Sequence, residues 1–281
     1  MNLTMRIALA ATATALMPLA PAAAADYDPP IYVDQAPEYV PVEIGSGWYL
    51  RGDIGYILKD RMGSVDYRVF DPTPPGTYFN STFDTRGLDT DVTFAAGFGY
   101  HFTDWLRADA TVEGFRGDFA GTTSSAGTCP GMPAGTSCLS QDAAKFSAIG
   151  IMANAYADLG TYAGFTPYVG AGAGYSLVRW GDLSNSLYCV GAACPTAAAL
   201  ATFKHDGEDS WRFTYALMAG VAYDISNSLK LDVGYKYRHI QGGDMFGWDS
   251  FSSGAGASGV QGRDKGFDTH EVKVGLRYDL W

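Results

Sequence analysis

The segment GWYLRGDIGYILK, residues 47–59, alternates apolar and polar side chains with a period of two residues. Trp48 and Leu50 fall on the apolar side, whereas Arg51 and Asp53 fall on the other. Successive side chains of a β-strand point to opposite faces, so this period is that of a strand with one apolar and one polar face. We therefore predict that the segment is a β-strand.

Seven further segments repeat the alternation, which brings the number of predicted strands to eight. They are 88–102, 105–116, 145–159, 165–180, 211–224, 229–240 and 268–280. In the first of them, Leu88 belongs to the apolar face and Asp89 to the polar face. Repetition over this many segments is not expected by chance.

The connections between these strands alternate strictly between short and long. The short ones are turn-like and lie at 102–105, 158–164 and 224–229. The long ones lie at about 60–87, 117–143, 181–209 and 241–266. One end of the predicted structure therefore has tight turns, and the other has long loops.

Two architectures use eight such strands. A soluble lipocalin-type barrel keeps its apolar faces inside, whereas an outer-membrane barrel turns them to lipid and lines its lumen with polar side chains. Long strands, uneven links and aromatic residues at the turn end, such as Trp48, Phe102 and Trp105, favour the membrane barrel. For residues 47–281 we predict an all-β fold: an eight-stranded antiparallel transmembrane up-and-down β-barrel with short periplasmic turns and four long extracellular loops.

The polar faces carry nearly balanced charges. We predict a charge network in the lumen from these residues: Arg51, Asp53, Asp91, Arg107, Asp109, Glu113, Arg212, Asp232, Lys236, Arg238, Glu271, Lys273 and Arg277. Because the interior of an eight-stranded barrel is just wide enough for side chains, we expect this network to plug it. A narrow ion path is the alternative, favoured by small inward residues: Gly170, Gly172, Gly174, Ala216 and Gly220.

Charge and composition narrow the class of protein further. The chain has 30 Asp and Glu against 19 Lys and Arg, a formal net charge of −11, which argues against nucleic acid as a partner. No long apolar run follows residue 25, so a chain that spans a membrane would have to cross it as strands.

The first 46 residues carry features of export. A basic start, an apolar stretch from Ile7 to Leu19, and the small residues Ala23 and Ala25 predict a signal peptide, 1–25, cleaved after Ala25. The acidic, Pro-rich stretch 26–46 predicts an extended periplasmic segment, with a docking peptide as the alternative. The predicted location is the bacterial outer membrane.

Four cysteines lie in pairs inside two of the long links. Cys129 and Cys138 flank one short segment, and Cys189 and Cys194 flank another. In an exported protein such cysteines are expected to form disulfides, and pairing within each loop is favoured among the three connectivities. No His or carboxylate cluster stands beside them at ligand spacing, so we predict no metal site.

Candidate catalytic groups are sparse. The histidines are His101, His205, His239 and His270, and His205 lies in the acidic stretch KHDGEDS, which faintly suggests a hydrolytic pair at a barrel rim. A solvated charged loop explains the same residues. No lipase, Walker, zinc-protease or Rossmann pattern is present, so we predict a protein that is not an enzyme and holds no cofactor.

Three strands carry a family resemblance. With GWYLRGDIGY as the first, LKLDVGYKYRHI near the end and THEVKVGLRYDLW last, residues 47–281 resemble the alphaproteobacterial outer-membrane β-barrels of the porin-family or OmpA-like small type. The resemblance implies an abundant envelope protein, inserted by the barrel assembly machinery, that contributes to outer-membrane integrity, surface contact or both.

The last strand also resembles the C-terminal signal that the assembly machinery recognises. Its candidate residues are Lys273, Gly275, Tyr278, Leu280 and Trp281. Trp281 stands where such a signal usually has phenylalanine, one residue beyond the fitted motif.

We expect a structural or surface-interaction role, in which the loops contact lipopolysaccharide, a host or neighbouring cells and the barrel contacts outer-membrane lipids. A small pore and a barrel-rim enzyme that acts on lipid or peptide are the alternatives.

Overall fold

The computed structural model describes residues 47–125, 127–195 and 197–280. The predicted signal peptide, the Pro-rich segment and Trp281 lie outside these residues. Strands dominate the described part, and their bounds are β1 Trp48–Met62, β2 Val65–Asp71, β3 Thr77–Thr82, β4 Thr85–His101, β5 Leu106–Ser124, β6 Ser137–Asp158, β7 Phe165–Trp180, β8 Leu183–Val190, β9 Ala201–Gly207, β10 Asp209–Asp224, β11 Leu229–Asp249 and β12 Gly262–Leu280. One short helix, α1 (Ser250–Gly254), follows β11.

Eight of these strands form a closed antiparallel ring. Its order is β1, β4, β5, β6, β7, β10, β11 and β12, and β12 pairs with both β11 and β1. In the closing pair, Trp48 lies opposite Leu280 and Ile54 opposite Val274. Closure satisfies the backbone of every ring strand and leaves no sheet edge facing lipid. The predicted eight-stranded barrel is confirmed.

The outward-facing side chains of the ring form an apolar band. Members of this band that are largely exposed include Leu50, Ile54, Phe94, Phe98, Val112, Ile149, Ile151, Val169, Leu217, Val233, Val274 and Leu276. In water so much exposed apolar surface would be unfavourable, whereas in a bilayer it contacts hydrocarbon.

Two of the long links prolong the barrel wall rather than forming irregular loops. β2 continues β1 alongside β12, where Tyr67 lies opposite Gly262, and it turns back through β3. β8 continues β7 alongside β6, and β9 returns to contact β11. Short breaks interrupt the alternation at 63–64, 83–84, 181–182 and 208, which is why the sequence pattern alone ends the strands early. The neighbouring strands continue past each break and keep the backbone paired.

In the part of β4 that precedes Thr93, the inward and outward faces differ from those predicted from the sequence. A β-bulge between Thr90 and Thr93 adds one residue to β4 relative to β5 and so reverses the alternation. Leu88 therefore packs on the internal apolar cluster, and Asp89 is exposed. The prediction that Leu88 faces lipid and Asp89 the lumen is wrong.

An apolar core fills the extracellular half of the barrel. Its large members are Phe83, Phe115, Phe119, Phe146, Trp180, Phe246 and Phe267. The rings of Phe146 and Trp180 lie 4.9 Å apart between centroids, and Phe267 contacts both Phe115 and Phe146. The alternation predicted no such core because most of its residues lie in, or border, the segments assigned to loops. The alternation does continue there, since Phe115 and Phe119 share the inward parity of Glu113.

Candidate functional site

Arg51 is the centre of a charge cluster in the periplasmic half of the lumen. Its guanidinium donates to Asp53 through Nε at 2.9 Å and Nη2 at 2.8 Å, and to Asp109 through Nη1 at 2.7 Å. The same Nη1 donates to the Tyr156 hydroxyl at 2.8 Å, and Lys273 Nζ lies 3.5 Å from Asp53 Oδ1. These residues come from β1, β5, β6 and β12, so the cluster connects strands across the lumen.

A second cluster surrounds Glu113. Lys236 Nζ and Arg238 Nη2 both donate to its carboxylate, the latter at 2.8 Å. Arg238 also lies 3.2 Å from Glu271, which accepts a hydrogen bond from the Thr93 hydroxyl at 2.7 Å. All five side chains are buried. The guanidinium of Arg238 stands 5.0 Å over the ring of Phe115 and so joins this cluster to the apolar core.

Two further pairs lie towards the periplasmic end. Arg107 Nε is 3.1 Å from the Asp158 carboxylate, and its guanidinium stacks 4.0 Å from the ring centre of Tyr156. Arg277 Nε is 3.9 Å from Asp232. The aromatic face partly replaces the hydrogen-bond partners that the Arg107 Nη atoms lack among the described residues.

Arg212 has a partner that sequence analysis did not predict. Its Nη1 lies 2.8 Å from Asp264, and both side chains are completely buried. Asp264 belongs to a segment read as a loop, but β12 begins at Gly262 and carries Asp264 on its inward face. Strict continuation of the alternation of the last strand would have placed Lys265 inward instead, because the inward parity changes between Gly266 and Phe267, which are both buried.

The structure buries twelve of the thirteen residues predicted for the lumen network. The side chain of the thirteenth, Asp91, lies outside what the structure describes. With the added partners Asp158 and Asp264, the described ion pairs join seven cations, Arg51, Arg107, Arg212, Lys236, Arg238, Lys273 and Arg277, to seven carboxylates, Asp53, Asp109, Asp158, Asp232, Asp264, Glu113 and Glu271. A balanced set differs from the single-sign rings that select ions in channels.

Little space remains at the level of this network. The cavity lined by Arg51, Glu113, Lys236 and their neighbours has a volume of about 10 Å³. That is roughly the minimum that one water molecule occupies.

Inward glycines do not widen the lumen. A Cβ on Gly172 would come within 2.0 Å of Asn154 Oδ1, and one on Gly170 within 2.5 Å of the Tyr156 ring. The space that these glycines leave is therefore filled by larger side chains from the neighbouring strand.

The amino-acid sequence matches the family model of the outer membrane protein β-barrel domain over residues 8–279. This chain belongs to the outer-membrane β-barrel family. An uncharacterised protein of Brucella suis is 38% identical over 261 residues, which cover 86% of this chain and 88% of that protein. A Rickettsia bellii protein provisionally named an adhesin is 24% identical, over 83% of this chain and 88% of that protein. Among solved structures, Neisserial surface protein A has a TM-score of 0.40 and 16% identity, covering 84% of this chain and 98% of that one.

The extracellular rim of this outer-membrane barrel carries two disulfides. They join Cys129 to Cys138 and Cys189 to Cys194, which is the pairing within each loop. Cys138 lies directly opposite Cys189 in the β6–β8 pair, so the two bridges are neighbours on the rim. No free cysteine occurs among the described residues.

His205 is not part of an exposed hydrolytic pair at the rim of the barrel. It lies on β9, is buried, and its ring packs 5.7 Å from that of Phe246. The nearby Asp142 accepts hydrogen bonds from Asn185 and Ser140. Burial raises the pKa of the Asp142 carboxyl, although these hydrogen bonds oppose the shift.

The other histidines lie on or beside the barrel wall. His239 Nδ1 is 2.6 Å from Asp268 Oδ1, which also accepts a hydrogen bond from the Tyr237 hydroxyl. Both His239 and His270 stack against tyrosine rings. At the periplasmic end, His101 Nε2 lies 3.4 Å from Asp279.

Three of the residues proposed for an assembly signal lie on alternate faces of the last strand. Lys273 and Gly275 face the lumen and are buried, and Tyr278 faces outward opposite Leu50. Leu280 pairs with Trp48, where β12 meets the beginning of β1.

Within 47–125, 127–195 and 197–280 the structure contains no cluster of three or more His, Cys, Asp or Glu side chains suited to hold a metal ion. In the same ranges, no helix has the length and apolar character needed to cross a membrane.

Proposed function

We propose that this outer-membrane barrel is a structural protein with a closed lumen. Its β2–β3 hairpin, which extends the wall on the extracellular side, makes surface contacts. The proposal of a closed lumen rests on the cavity volume of only about 10 Å³ that remains at the charge clusters. The apolar core above them adds a second seal, because its rings interdigitate across the lumen. A hydrated ion needs a continuous polar path, and the tight packing of both layers supports a lumen without one.

Exposed apolar side chains on the β2–β3 hairpin support the proposed surface contacts. Val69 and Phe79 lie opposite each other in the β2–β3 hairpin and are 44% and 58% exposed. Val69 is ten residues further along the wall than Lys59, roughly 33 Å of strand rise. So far from the apolar band, these side chains are suited to contact another protein or cell surface. The adhesin name of the Rickettsia bellii relative fits this role.

Export and assembly complete the proposal. The signal peptide would be removed after Ala25, and 26–46 would remain as a periplasmic segment that precedes the barrel. The barrel assembly machinery would insert the chain by recognising its last strand, and lipopolysaccharide would surround the finished barrel in the outer leaflet.

Three measurements on one set of strains test the proposed function. A deletion strain should become sensitive to detergent and lose adhesion to host or neighbouring cells, while its lipid A mass spectrum stays unchanged. Wild-type protein should restore both properties. The Val69→Ser/Phe79→Ser variant should restore detergent resistance but not adhesion, whereas Asn80→Ala in the same hairpin should restore both.

Purified protein in planar bilayers should show no stable openings. Regular single-channel conductance would contradict the closed lumen and favour a pore. Altered lipid A in the deletion strain would favour an enzyme at the barrel rim.

A further inference from the structure

The two disulfides of the extracellular rim meet at one pair of residues on neighbouring strands. Cys138 on β6 lies opposite Cys189 on β8. The backbone N–H of Cys138 donates to the Ser125 hydroxyl at 3.0 Å, and its carbonyl accepts from the Ser125 N–H at 2.9 Å. Because both backbone groups of a strand residue point to the same neighbouring strand, those of Cys138 point away from Cys189. Cys138 and Cys189 are therefore a non-hydrogen-bonded pair, the kind in which opposite side chains come closest.

A disulfide fits between the two residues of this pair. The Cα atoms of a non-hydrogen-bonded pair are about 4.5 Å apart, within the range of roughly 4.4–6.8 Å that disulfides span. The existing bridges span similar Cα distances, 4.8 Å from Cys129 to Cys138 and 5.7 Å from Cys189 to Cys194. A Cys138–Cys189 bridge can therefore form without a shift of either strand.

The existing bridges differ in their access to solvent. Cys129 and Cys138 are 1% and 5% exposed, and we call their bond the buried bridge. Cys189 and Cys194 are only half-buried, and we call their bond the accessible bridge. Thiol–disulfide exchange requires a thiolate to reach a sulfur atom, so a thiol in solution reacts first at the accessible bridge.

We propose that the rim is a site of modification by small thiols such as glutathione, and that opening of the accessible bridge produces a Cys138–Cys189 bridge between the strands. The external thiolate attacks Cys194 Sγ, forms a mixed disulfide there and releases Cys189 as a thiolate. Cys189 Sγ then attacks Cys138 Sγ, which forms the cross-strand bridge and releases Cys129 as a thiolate.

This exchange is balanced without an oxidant or a reductant. Two disulfides and one thiol are present before it, and two disulfides and one thiol after it. Water returns to Cys129 the proton that the external thiol lost on ionisation. Since β6 and β8 hold Cys138 and Cys189 side by side, the second step is intramolecular and needs no diffusion. The product joins the two long links covalently and carries the small thiol on Cys194.

The test follows the bridges in the full barrel, purified without reductant and then treated with one equivalent of glutathione at about pH 8, where thiolates form. Alkylation of free thiols stops the exchange, and cyanogen bromide then cleaves the chain after methionine. Met132 separates Cys129 from Cys138, and Met152 separates Cys138 from Cys189. Each bridge therefore gives its own pattern of joined fragments.

Untreated protein should show the fragment of Cys129 joined to that of Cys138. Glutathione should instead join the fragment of Cys138 to that of Cys189, leave Cys129 alkylated and add one glutathione to Cys194. An unchanged pattern, opening of the accessible bridge alone, or a link from Cys129 to Cys189 would overturn the proposal.

Two single substitutions supply a matched pair. Cys194→Ser leaves Cys189 as a free thiol, so it should form the cross-strand bridge without glutathione and release Cys129. Cys189→Ser leaves a free thiol in the same loop, at Cys194, and should keep the buried bridge. We expect at least tenfold more alkylated Cys129 in Cys194→Ser than in Cys189→Ser, and equal amounts would contradict the exchange. The heat-dependent gel shift of each variant verifies that it is folded.

Discussion

Gly275 on β12 lies directly opposite Asp53 on β1, and a Cβ on Gly275 would come within 2.2 Å of Asp53 Oδ1. That oxygen is the one that Arg51 and Lys273 contact. The absence of a side chain at 275 thus makes room for the central carboxylate of the charge network, at the seam where the last strand closes on the first.

Gly275→Ala should destabilise the barrel, because Asp53 must leave its position and lose its contacts. We expect a loss of about 1–3 kcal/mol in the free energy of unfolding, as for other overpacked sites. Urea unfolding of protein refolded in lipid vesicles measures it. Gly87→Ala is the control, since a Cβ there meets nothing within 4 Å. Comparable losses in the two variants would contradict the role of Gly275.

Glu113→Gln should destabilise the barrel strongly. Glutamine keeps the size of the side chain but leaves Lys236 and Arg238 facing one remaining buried carboxylate, Glu271. A buried charge without its partner costs about 3–5 kcal/mol, and the same unfolding measurement should show a loss of that order. Asp104→Asn, in an exposed periplasmic turn, should change stability by less than about 0.5 kcal/mol. An unchanged Glu113→Gln protein would refute a stabilising charge network.

Phe146→Ala should lower stability by about 3–5 kcal/mol, because it opens a cavity among Phe115, Trp180 and Phe267. Phe251→Ala removes a ring that is 79% exposed and should have little effect. The comparison separates internal packing from general loss of apolar surface. If both substitutions cost the same, the extracellular half of the lumen does not hold a packed core.

Non-reduced peptide mapping should find two cross-linked fragments, one containing Cys129 and Cys138 and the other Cys189 and Cys194. Reduction before digestion should abolish both and serves as the control. Because Cys138 and Cys189 are opposite each other on adjacent strands, a link between them is the informative alternative. Finding that link instead would show that the bridges join the two loops.

Deletion of Tyr278 to Trp281 should block assembly in the cell, since it removes the proposed recognition residues and the pairs of Tyr278 and Leu280 with β1. Surface labelling of intact cells measures the amount assembled. Trp281→Phe restores the usual terminal residue of such signals and should assemble at wild-type level. Refolding of the truncated protein in vesicles separates recognition from strand pairing. Normal surface levels of the truncated protein would refute the assembly signal.

Sequence alone predicted the strands and their two faces because alternation is a local property. Once one apolar residue of a strand is assigned to the lipid-facing side, the alternation places Arg51, Asp53 and Glu113 on the inward side. The same local rule failed at Leu88, where a bulge adds one residue that the alternation does not reveal.

Which side chains meet across the lumen was decided only by the tertiary structure. Arg51 and Asp109 are 58 residues apart, and Arg212 and Asp264 are 52 apart, so their pairing depends on ring order and register rather than on nearby sequence. How far the barrel wall extends on the extracellular side was also decided only by the tertiary structure. β2 and β8 continue the wall past polar breaks because β12 and β6 pair with them. This pairing between distant strands cannot be read from the alternation within a single segment.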